Sequence, residues 1–188
     1  MTAFRVAALV PAYEAATTVG DVVRGVAAIV SPVVVVDDGS ADATGEVARA
    51  AGATVLRQNP NAGKGAALLT GLRSLAGTGF THAVTVDADG QHPASEIPVL
   101  LAAAREQPCA IVVGVRQKEG HTIRRAARFG NWIADRLMTL VAGRPLPDTQ
   151  SGLRVYPIAE TLGLGAVGRR FDFETEILFR AEIGRAHV

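Results

Sequence analysis

The stretch "VVVVDDGSADAT", residues 33–44, decides the fold, because four consecutive valines run directly into a cluster of polar side chains. An apolar run in which polar residues do not alternate is typical of a parallel strand that helices cover on both faces. Similar runs occur as "RVAALV" before it and as "ATVLR", "HAVTVD" and "AIVVGV" after it. The sequence therefore predicts five strands of one buried, mostly parallel sheet.

Helical patterns separate these runs. Apolar residues at the spacing of an amphipathic helix fill the first and third intervals: Val19, Val22, Val23, Val26 and Ile29, then Leu68, Leu69, Leu72 and Leu75. Ser40 is expected to cap a second helix that contains Val47 and Ala48, and a fourth helix is expected from about Ala94 to Gln107. This alternation predicts an α/β fold, with a doubly wound sheet and helices on both faces.

Beyond residue 115 the alternation stops. Residues 121–142 are predicted to form one long helix, "QSGLRVY" a short strand, and Phe171 to Arg180 another helix. No repeat or long linker interrupts the chain, so residues 1–188 are expected to form a single domain.

Composition excludes several classes of function. A net charge of +1 gives no global attraction to nucleic acid or to an anionic membrane. No apolar stretch is long enough for a transmembrane segment, and the first apolar run is too short for a secretory signal, so a cytoplasmic protein is expected. Cys109, the single cysteine, is expected to be an inert thiol in a buried strand.

Short motifs exclude further chemistries. The first strand continues into "VPAYEAATT" and lacks the G-x-G-x-x-G of a dinucleotide site. The "NAGKGAA" loop is not a P-loop, because Gln58 replaces its first glycine and Gly65 follows Lys64 where a hydroxyl would bind Mg²⁺. The chain has no G-x-S-x-G elbow and no Cys or His cluster with zinc spacing, which excludes serine hydrolysis and zinc chemistry.

Polar loops follow the predicted strands, at the edge where open α/β sheets bind ligands. In "VTVDADGQHP", residues 84–93, Asp87 and Asp89 are two apart, so both side chains point the same way in an extended chain. Their oxygens suit Mg²⁺ or Mn²⁺ held jointly with substrate phosphates; the alternative is a turn in which they serve only the backbone. After the second strand, Asp37 or Asp38 could accept a hydrogen bond from a nucleotide base or ribose.

Seven motifs occur in an order that resembles one enzyme family: "LVPAYEAATTV", "VVVVDDGSADAT", "NPNAGKGAAL", "VDADGQHP", "VVGVRQ", "DTQSGLRVY" and "RFDFETEIL". From about residue 5 to residue 182 they resemble the family-two nucleotide-sugar glycosyltransferases, in the branch similar to dolichyl-phosphate mannose synthase. The resemblance implies a GT-A fold, inverting transfer from a UDP- or GDP-sugar, and a divalent metal, Mg²⁺ or Mn²⁺. Because family members continue past the "ETEIL" helix, we expect a GT-A domain that is shortened at its C-terminus.

The resemblance also assigns roles to individual residues, motif by motif. The residues expected to contact the nucleotide-sugar are Pro11, Tyr13, Glu14, Asp37, Asp38, Lys64 and Asp87. The expected metal ligands are Asp87, Asp89 and Gln91. The expected catalytic set is Asp89, Asp148, Arg116 and Arg128, and the expected acceptor-side residues are Gln150, Ser151 and Gly152.

The chemistry of the acceptor decides which of these residues must act. A polyprenyl phosphate is already largely ionised near neutral pH and needs arginines, whereas a sugar hydroxyl needs a base, for which Asp148 is the candidate. The arginines at positions 116, 124, 125 and 128 favour a phosphate, since arginine binds phosphate in bidentate fashion. For the last three a solvated helix face is the alternative. We therefore expect a polyprenyl phosphate acceptor, reached from the inner face of a membrane.

Two functions from other classes compete with this interpretation. A non-catalytic nucleotide-sugar-binding homologue would keep the same loops without turnover. A nucleotidyltransferase would share the sheet and the metal but would carry a glycine-rich first loop, where this chain has "PAYEAA". His92 is expected to be a hydrogen-bonding loop residue, and Trp132 to face the core or, alternatively, an acceptor groove.

Overall fold

The valine-rich runs form the middle of a six-stranded sheet in the computed structural model, which describes residues 3–114, 151–166 and 172–185. The strands are β1 Val6–Ala12, β2 Val33–Asp37, β3 Thr54–Arg57, β4 His82–Thr85, β5 Val112–Val113 and β6 Arg154–Pro157. Their order across the sheet is β3-β2-β1-β4-β6-β5. As predicted, β3, β2, β1 and β4 pair in parallel.

Strand β6, which "QSGLRVY" predicted, is inserted between β4 and β5. It pairs antiparallel with both neighbours, with Thr85 opposite Arg154 on one side and Val113 opposite Arg154 on the other. Strand β5 therefore runs in the same direction as β4, in keeping with the predicted mostly parallel sheet, but it joins the parallel set only through β6. A buried apolar run predicts a covered strand, but it does not predict which strand lies beside it.

The helices cover both faces of the sheet. They are α1 Val19–Ala27, α2 Thr44–Ala50, α3 Lys64–Leu75, α4 Ile97–Glu106 after a 3-10 turn at Ala94–Glu96, α5 Ile158–Gly163 and α6 Asp172–Arg185. On one face α1, α2 and α4 share a core with Val33 and Val35, and on the other face α3, α5 and α6 share a core with Val34 and Val36. Alternate valines of β2 thus serve two separate cores, which explains why the run contains no polar position.

Pro11 belongs to β1, although the sequence pattern placed it in the following loop. In the parallel register it lies opposite Val36. The Leu9 carbonyl accepts from the N–H of Val86, so the backbone polar groups of Leu9 point toward β4. The backbone of Pro11, two positions later, faces the same side. Because β4 ends at Thr85, no residue of β4 lies beside Pro11 to accept a hydrogen bond from it. A proline, which has no N–H, therefore fits this position.

Three local predictions are wrong. Ser40 does not cap α2, which begins at Thr44, because its hydroxyl accepts instead from the backbone N–H of Glu14. Ile29 lies beyond the end of α1 and is 38% exposed. Cys109 is exposed, since it lies in the turn before β5 and not inside the strand.

The helix predicted over residues 121–142 lies outside the described residues.

Candidate active site

The carboxyl ends of the parallel strands place four loops at one edge of the sheet, as predicted. Because β6 runs antiparallel to β4, its amino end meets the carboxyl end of β4. This brings Ser151 and Gly152 to the edge that carries Asp87 and Asp89. Segments from both ends of the chain therefore meet at one site, which matches the expected location for ligands in an open α/β sheet.

The first two loops are tied together by hydrogen bonds between side chains and backbone. The Glu14 carboxylate accepts from the N–H of Ala41 at 2.7 Å, and the Ala15 N–H donates to the Thr44 hydroxyl at 2.8 Å. Asp42 accepts from the N–H of Ala16 and from Thr44; the Thr44 hydroxyl is the main reason why the pKa of Asp42 lies below its ordinary value. These contacts fix the loop around Tyr13, a residue that is 55% exposed.

Asp37 and Asp38 both act on the protein's own backbone. Fully buried Asp37 accepts from the N–H of Ser40 at 2.9 Å and pairs with Arg57 at 3.3 Å. Asp38 accepts from the N–H groups of Ala62 and Gly63, at 2.8 Å and 2.7 Å, one on each carboxylate oxygen. Asp38 therefore fixes the loop that ends at Lys64.

A line of alternating charges runs inward from Asp87. The Lys64 Nζ lies 2.7 Å from Asp87 Oδ1 and 3.1 Å from Glu174 Oε2. The Arg154 Nε lies 3.8 Å from Glu174 Oε1, and the same guanidinium donates to the carbonyls of Ser151 and Glu174. Arg154 and Glu174 are both buried, so each supplies the opposite charge that the other requires.

Gly152 approaches Asp87 more closely than any other residue type could. A Cβ at position 152 would lie 2.1 Å from Asp87 Cγ, far inside van der Waals contact. The Gly152 carbonyl accepts from the Thr85 hydroxyl at 3.0 Å, which fixes this approach. Beside it, the buried Ser151 hydroxyl has no hydrogen-bond partner among the residues that the structure describes.

Asp89 lies on the outer side of the same loop. Its carboxylate is exposed and accepts from the backbone N–H of Gln91 at 2.9 Å. The Thr18 hydroxyl, at the start of α1, donates to the Ala88 carbonyl at 2.6 Å and anchors the loop. Asp89 also lines a cavity of about 380 Å³ between α1 and the 3-10 turn, next to buried His92.

The predicted metal ligands have the right chemistry for a hard cation. Within the described ranges, no three His, Cys, Asp or Glu side chains come together as a ready-made metal site. Mg²⁺ and Mn²⁺, however, are commonly held by one or two carboxylates together with waters and substrate phosphates. Asp87, Asp89 and the Gln91 amide oxygen fit that donor set.

Several predicted site residues lie outside the described residues, namely Arg116, Arg128, Asp148 and Gln150. Their roles stay predictions. Conversely, the sequence interpretation assigned no role to Glu174 and Arg154, although both stand in quoted motifs, "RFDFETEIL" and "DTQSGLRVY". For Arg154 the available signal was one charged residue within the predicted strand, since buried charges require partners. Glu174 gave no such signal, because Asp172 and Glu176 stand beside it.

No helix in the described part of the chain is both long enough and apolar enough to cross a membrane.

The architecture, a mostly parallel sheet with helices on both faces and a carboxylate loop at its carboxyl edge, defines a GT-A glycosyltransferase fold. A glucosyl-3-phosphoglycerate synthase from Mycobacterium tuberculosis, solved with Mn²⁺, UDP-glucose and phosphoglyceric acid, has the same fold. It superimposes with a TM-score of 0.74 at 20% identity, over 93% of this chain and 64% of that one. The predicted fold class is confirmed.

Residues 7–162 match the profile of glycosyl transferase family 2, and the chain belongs to this family. An undecaprenyl-phosphate mannosyltransferase from Micrococcus luteus is 32% identical over 84% of this chain and 69% of its own length. A polyprenol monophosphomannose synthase from Mycolicibacterium smegmatis is 30% identical over 79% of this chain and 60% of its own length. The predicted resemblance to the dolichyl-phosphate mannose synthase branch is confirmed; the chain spans about two thirds of the length of these relatives.

Proposed function

We propose that the protein transfers a sugar, with inversion, from a UDP- or GDP-sugar to a polyprenyl phosphate, using Mg²⁺ or Mn²⁺. One observation carries this proposal: antiparallel β6 brings Ser151 and Gly152, the proposed acceptor-side residues, to the edge that carries the proposed donor loops, with Gly152 in contact with Asp87. A transferase needs donor and acceptor at adjoining positions, and this contact supports such an arrangement. The names of the two mannosyltransferase relatives support a lipid phosphate as acceptor.

The donor site is built from rigid loops. The exposed ring of Tyr13 offers a flat surface for a nucleotide base, on a loop that is fixed by the Glu14 and Thr44 hydrogen bonds. Asp38 holds the backbone of this site with one N–H donor on each oxygen, and it keeps lone pairs with which to accept from a base or ribose. The loop behind it ends at Lys64, which we propose as the residue that meets the diphosphate.

The leaving nucleoside diphosphate develops negative charge, which positive groups at the site must stabilise. Asp87, Asp89 and Gln91 would hold a divalent ion, which supplies Lewis-acid stabilisation of the diphosphate when bound. Lys64 provides a further positive charge beside Asp87, at 2.7 Å. Neither role requires a proton donor for the leaving group.

On the acceptor side, a phosphate dianion needs charge-assisted partners and not a base. Arg116 and Arg128 are proposed for this role, as the family resemblance implies. If the acceptor were a saccharide hydroxyl, Asp148 would have to remove its proton. The same residues thus distinguish the two acceptor classes.

A transfer assay tests the proposal directly. Purified protein would be incubated with Mn²⁺ and radiolabelled UDP-glucose, UDP-N-acetylglucosamine or GDP-mannose, together with undecaprenyl phosphate, 3-phosphoglycerate or a free monosaccharide. We expect label in the lipid, and its loss in Asp89→Ala, whose exposed loop side chain contributes little to folding. Label in the monosaccharide or in phosphoglycerate would overturn the acceptor assignment.

Nucleotide binding, measured beside transfer, distinguishes an enzyme from a protein that only binds the nucleotide-sugar. UDP or GDP with Mn²⁺ should raise the melting temperature more than ATP or NAD does, because a ligand that binds only the native state stabilises it. Nucleotide binding without transfer to any acceptor would favour the non-catalytic homologue.

A further inference from the structure

We propose that Lys64 is a built-in counter-cation of Asp87, which a divalent ion must displace before it can bind that carboxylate. This inference deepens the proposed function and rests on the metal site contained in it. Its consequence is that the ion and the nucleoside diphosphate bind cooperatively, because the diphosphate offers Lys64 a new anionic partner.

The position of Lys64 is fixed by the chain around it. Lys64 is the first residue of α3, directly after Gly63, whose N–H is held by Asp38 at 2.7 Å. A cation is unfavourable at a helix N-terminus, where the helix dipole is positive. Two carboxylates offset that cost, Asp87 at 2.7 Å and Glu174 at 3.1 Å from the Lys64 Nζ.

The pair lies in a partly buried environment. The side chains of Lys64 and Asp87 are 17% and 24% exposed, and that of Glu174 is 5% exposed. Solvent screens such a pair less than it screens a surface ion pair, so its attraction is larger. A divalent ion that approaches without nucleotide therefore meets a carboxylate whose charge is already balanced.

Glu174 makes it possible for a divalent ion to replace Lys64 at Asp87. When an ion takes Asp87, Lys64 retains the Glu174 carboxylate, so no buried charge loses every partner. Glu174 is itself held by Arg154, which donates to its backbone carbonyl at 3.0 Å and lies 3.8 Å from its carboxylate. The Lys64 ammonium can then turn toward the diphosphate while it stays paired with the Glu174 carboxylate.

Manganese binding without nucleotide tests this exchange. The concentration of free Mn²⁺ would be measured by electron paramagnetic resonance in wild type and in Lys64→Gln, Lys64→Arg and Arg73→Gln. We expect Lys64→Gln to bind Mn²⁺ about 3- to 30-fold more tightly, since a partly buried competing charge is removed. Lys64→Arg should remain near wild type because it keeps the charge. Arg73→Gln removes the same charge from the exposed side of α3 and should change the affinity less than about twofold.

A second variant covers the case in which Lys64→Gln does not fold. Lys64→Met keeps an unbranched side chain of similar length and leaves Glu174 paired with Arg154. It should also bind Mn²⁺ more tightly than wild type. In addition, UDP or GDP should strengthen Mn²⁺ binding in wild type by a larger factor than in Lys64→Gln.

The outcomes distinguish this inference from the proposed function. Mn²⁺ binding that Asp87→Asn abolishes, but that Lys64→Gln leaves unchanged or weakens, would overturn the inference alone. Equal tightening in Arg73→Gln would also overturn it, since only overall charge would then matter. Lack of any Mn²⁺ binding sensitive to Asp87→Asn would overturn both this inference and the metal site of the proposed function.

Discussion

Gly152 and Asp87 lie in direct contact at the boundary between strands β6 and β4, so closely that a Cβ on residue 152 would fall 2.1 Å from Asp87 Cγ. The Thr85 hydroxyl holds the glycine there by donating to the Gly152 carbonyl. The segment that carries Gly152 and the first carboxylate of the "VDADGQHP" loop are therefore one packed unit, and a substitution in either should displace both.

Gly152→Ala should displace the Asp87 carboxylate and reduce transfer at least about tenfold, since small displacements of reacting groups are costly. Overpacking should also lower the free energy of unfolding by about 1–3 kcal/mol. Steady-state kinetics and urea unfolding would measure the two effects. Gly163→Ala is the matched control, because no described atom lies within 4 Å of its new methyl group. Equal behaviour of the two variants would contradict the close packing of Gly152 on Asp87.

Asp38→Asn should destabilise the protein by about 1–3 kcal/mol, because the new amide group would face a backbone N–H that had an acceptor. The N–H groups of Ala62 and Gly63 each donate to one oxygen of Asp38. Urea unfolding would show the loss as a lower midpoint. Asp21→Asn, at a side chain that is 85% exposed, should change the midpoint little. A direct role of Asp38 in base recognition, without a role in the loop, predicts instead unchanged stability and weaker nucleotide binding.

Tyr156 should make the protein sensitive to alkali. Burial raises the pKa of Tyr156 from 10.0 to about 12, partly opposed by the charge of Arg154. Between these values the native state keeps the phenol proton and the unfolded chain loses it, so stability is full below pH 10 and falls as pH rises toward 12. The loss amounts to at most about 2.7 kcal/mol, from about 1.36 kcal/mol for each pKa unit.

The free energy of unfolding, measured from about pH 9 to about pH 12, would show this loss. Tyr156→Phe should reduce the slope over that interval, since it removes the titrating group. A slope that persists undiminished in Tyr156→Phe would assign the alkaline loss to another group.

Arg128→Ala should reduce transfer more than Asp148→Asn if the acceptor is a phosphate. Loss of a charge-assisted partner of a dianion costs about 1.5–3 kcal/mol, roughly 10- to 150-fold in rate. For a hydroxyl acceptor the order reverses, because loss of a general base typically costs about 10²- to 10⁴-fold. Single-turnover rates with undecaprenyl phosphate would rank the variants, after circular dichroism has shown that both fold. A collapse in Asp148→Asn with an active Arg128→Ala would favour a saccharide acceptor.

The parts of the site that could be predicted from the sequence are those set by local pattern. The valine runs predicted strands with two covered faces, and the strand ends placed Asp87 and Asp89 at the ligand edge. The partners of Lys64 could not be predicted in this way. Glu174 is more than one hundred positions away in the sequence, and it reaches Lys64 only because α6 packs on the same face as α3. Likewise, Ser40 has ordinary capping chemistry, but the tertiary contact with Glu14 takes its hydroxyl away from the helix.

Strand β6 also determines when, during folding, both sides of the candidate site are in place. All four parallel strands lie within residues 6–85, whereas β6 begins only at Arg154. A chain is synthesised from its N-terminus, so early segments can begin to order before later ones exist. The loops proposed for the nucleotide can therefore begin to form while the chain is still being synthesised. The pairing that seats Gly152 on Asp87 must wait for β6, so in the proposed function the donor side of the site precedes its acceptor side.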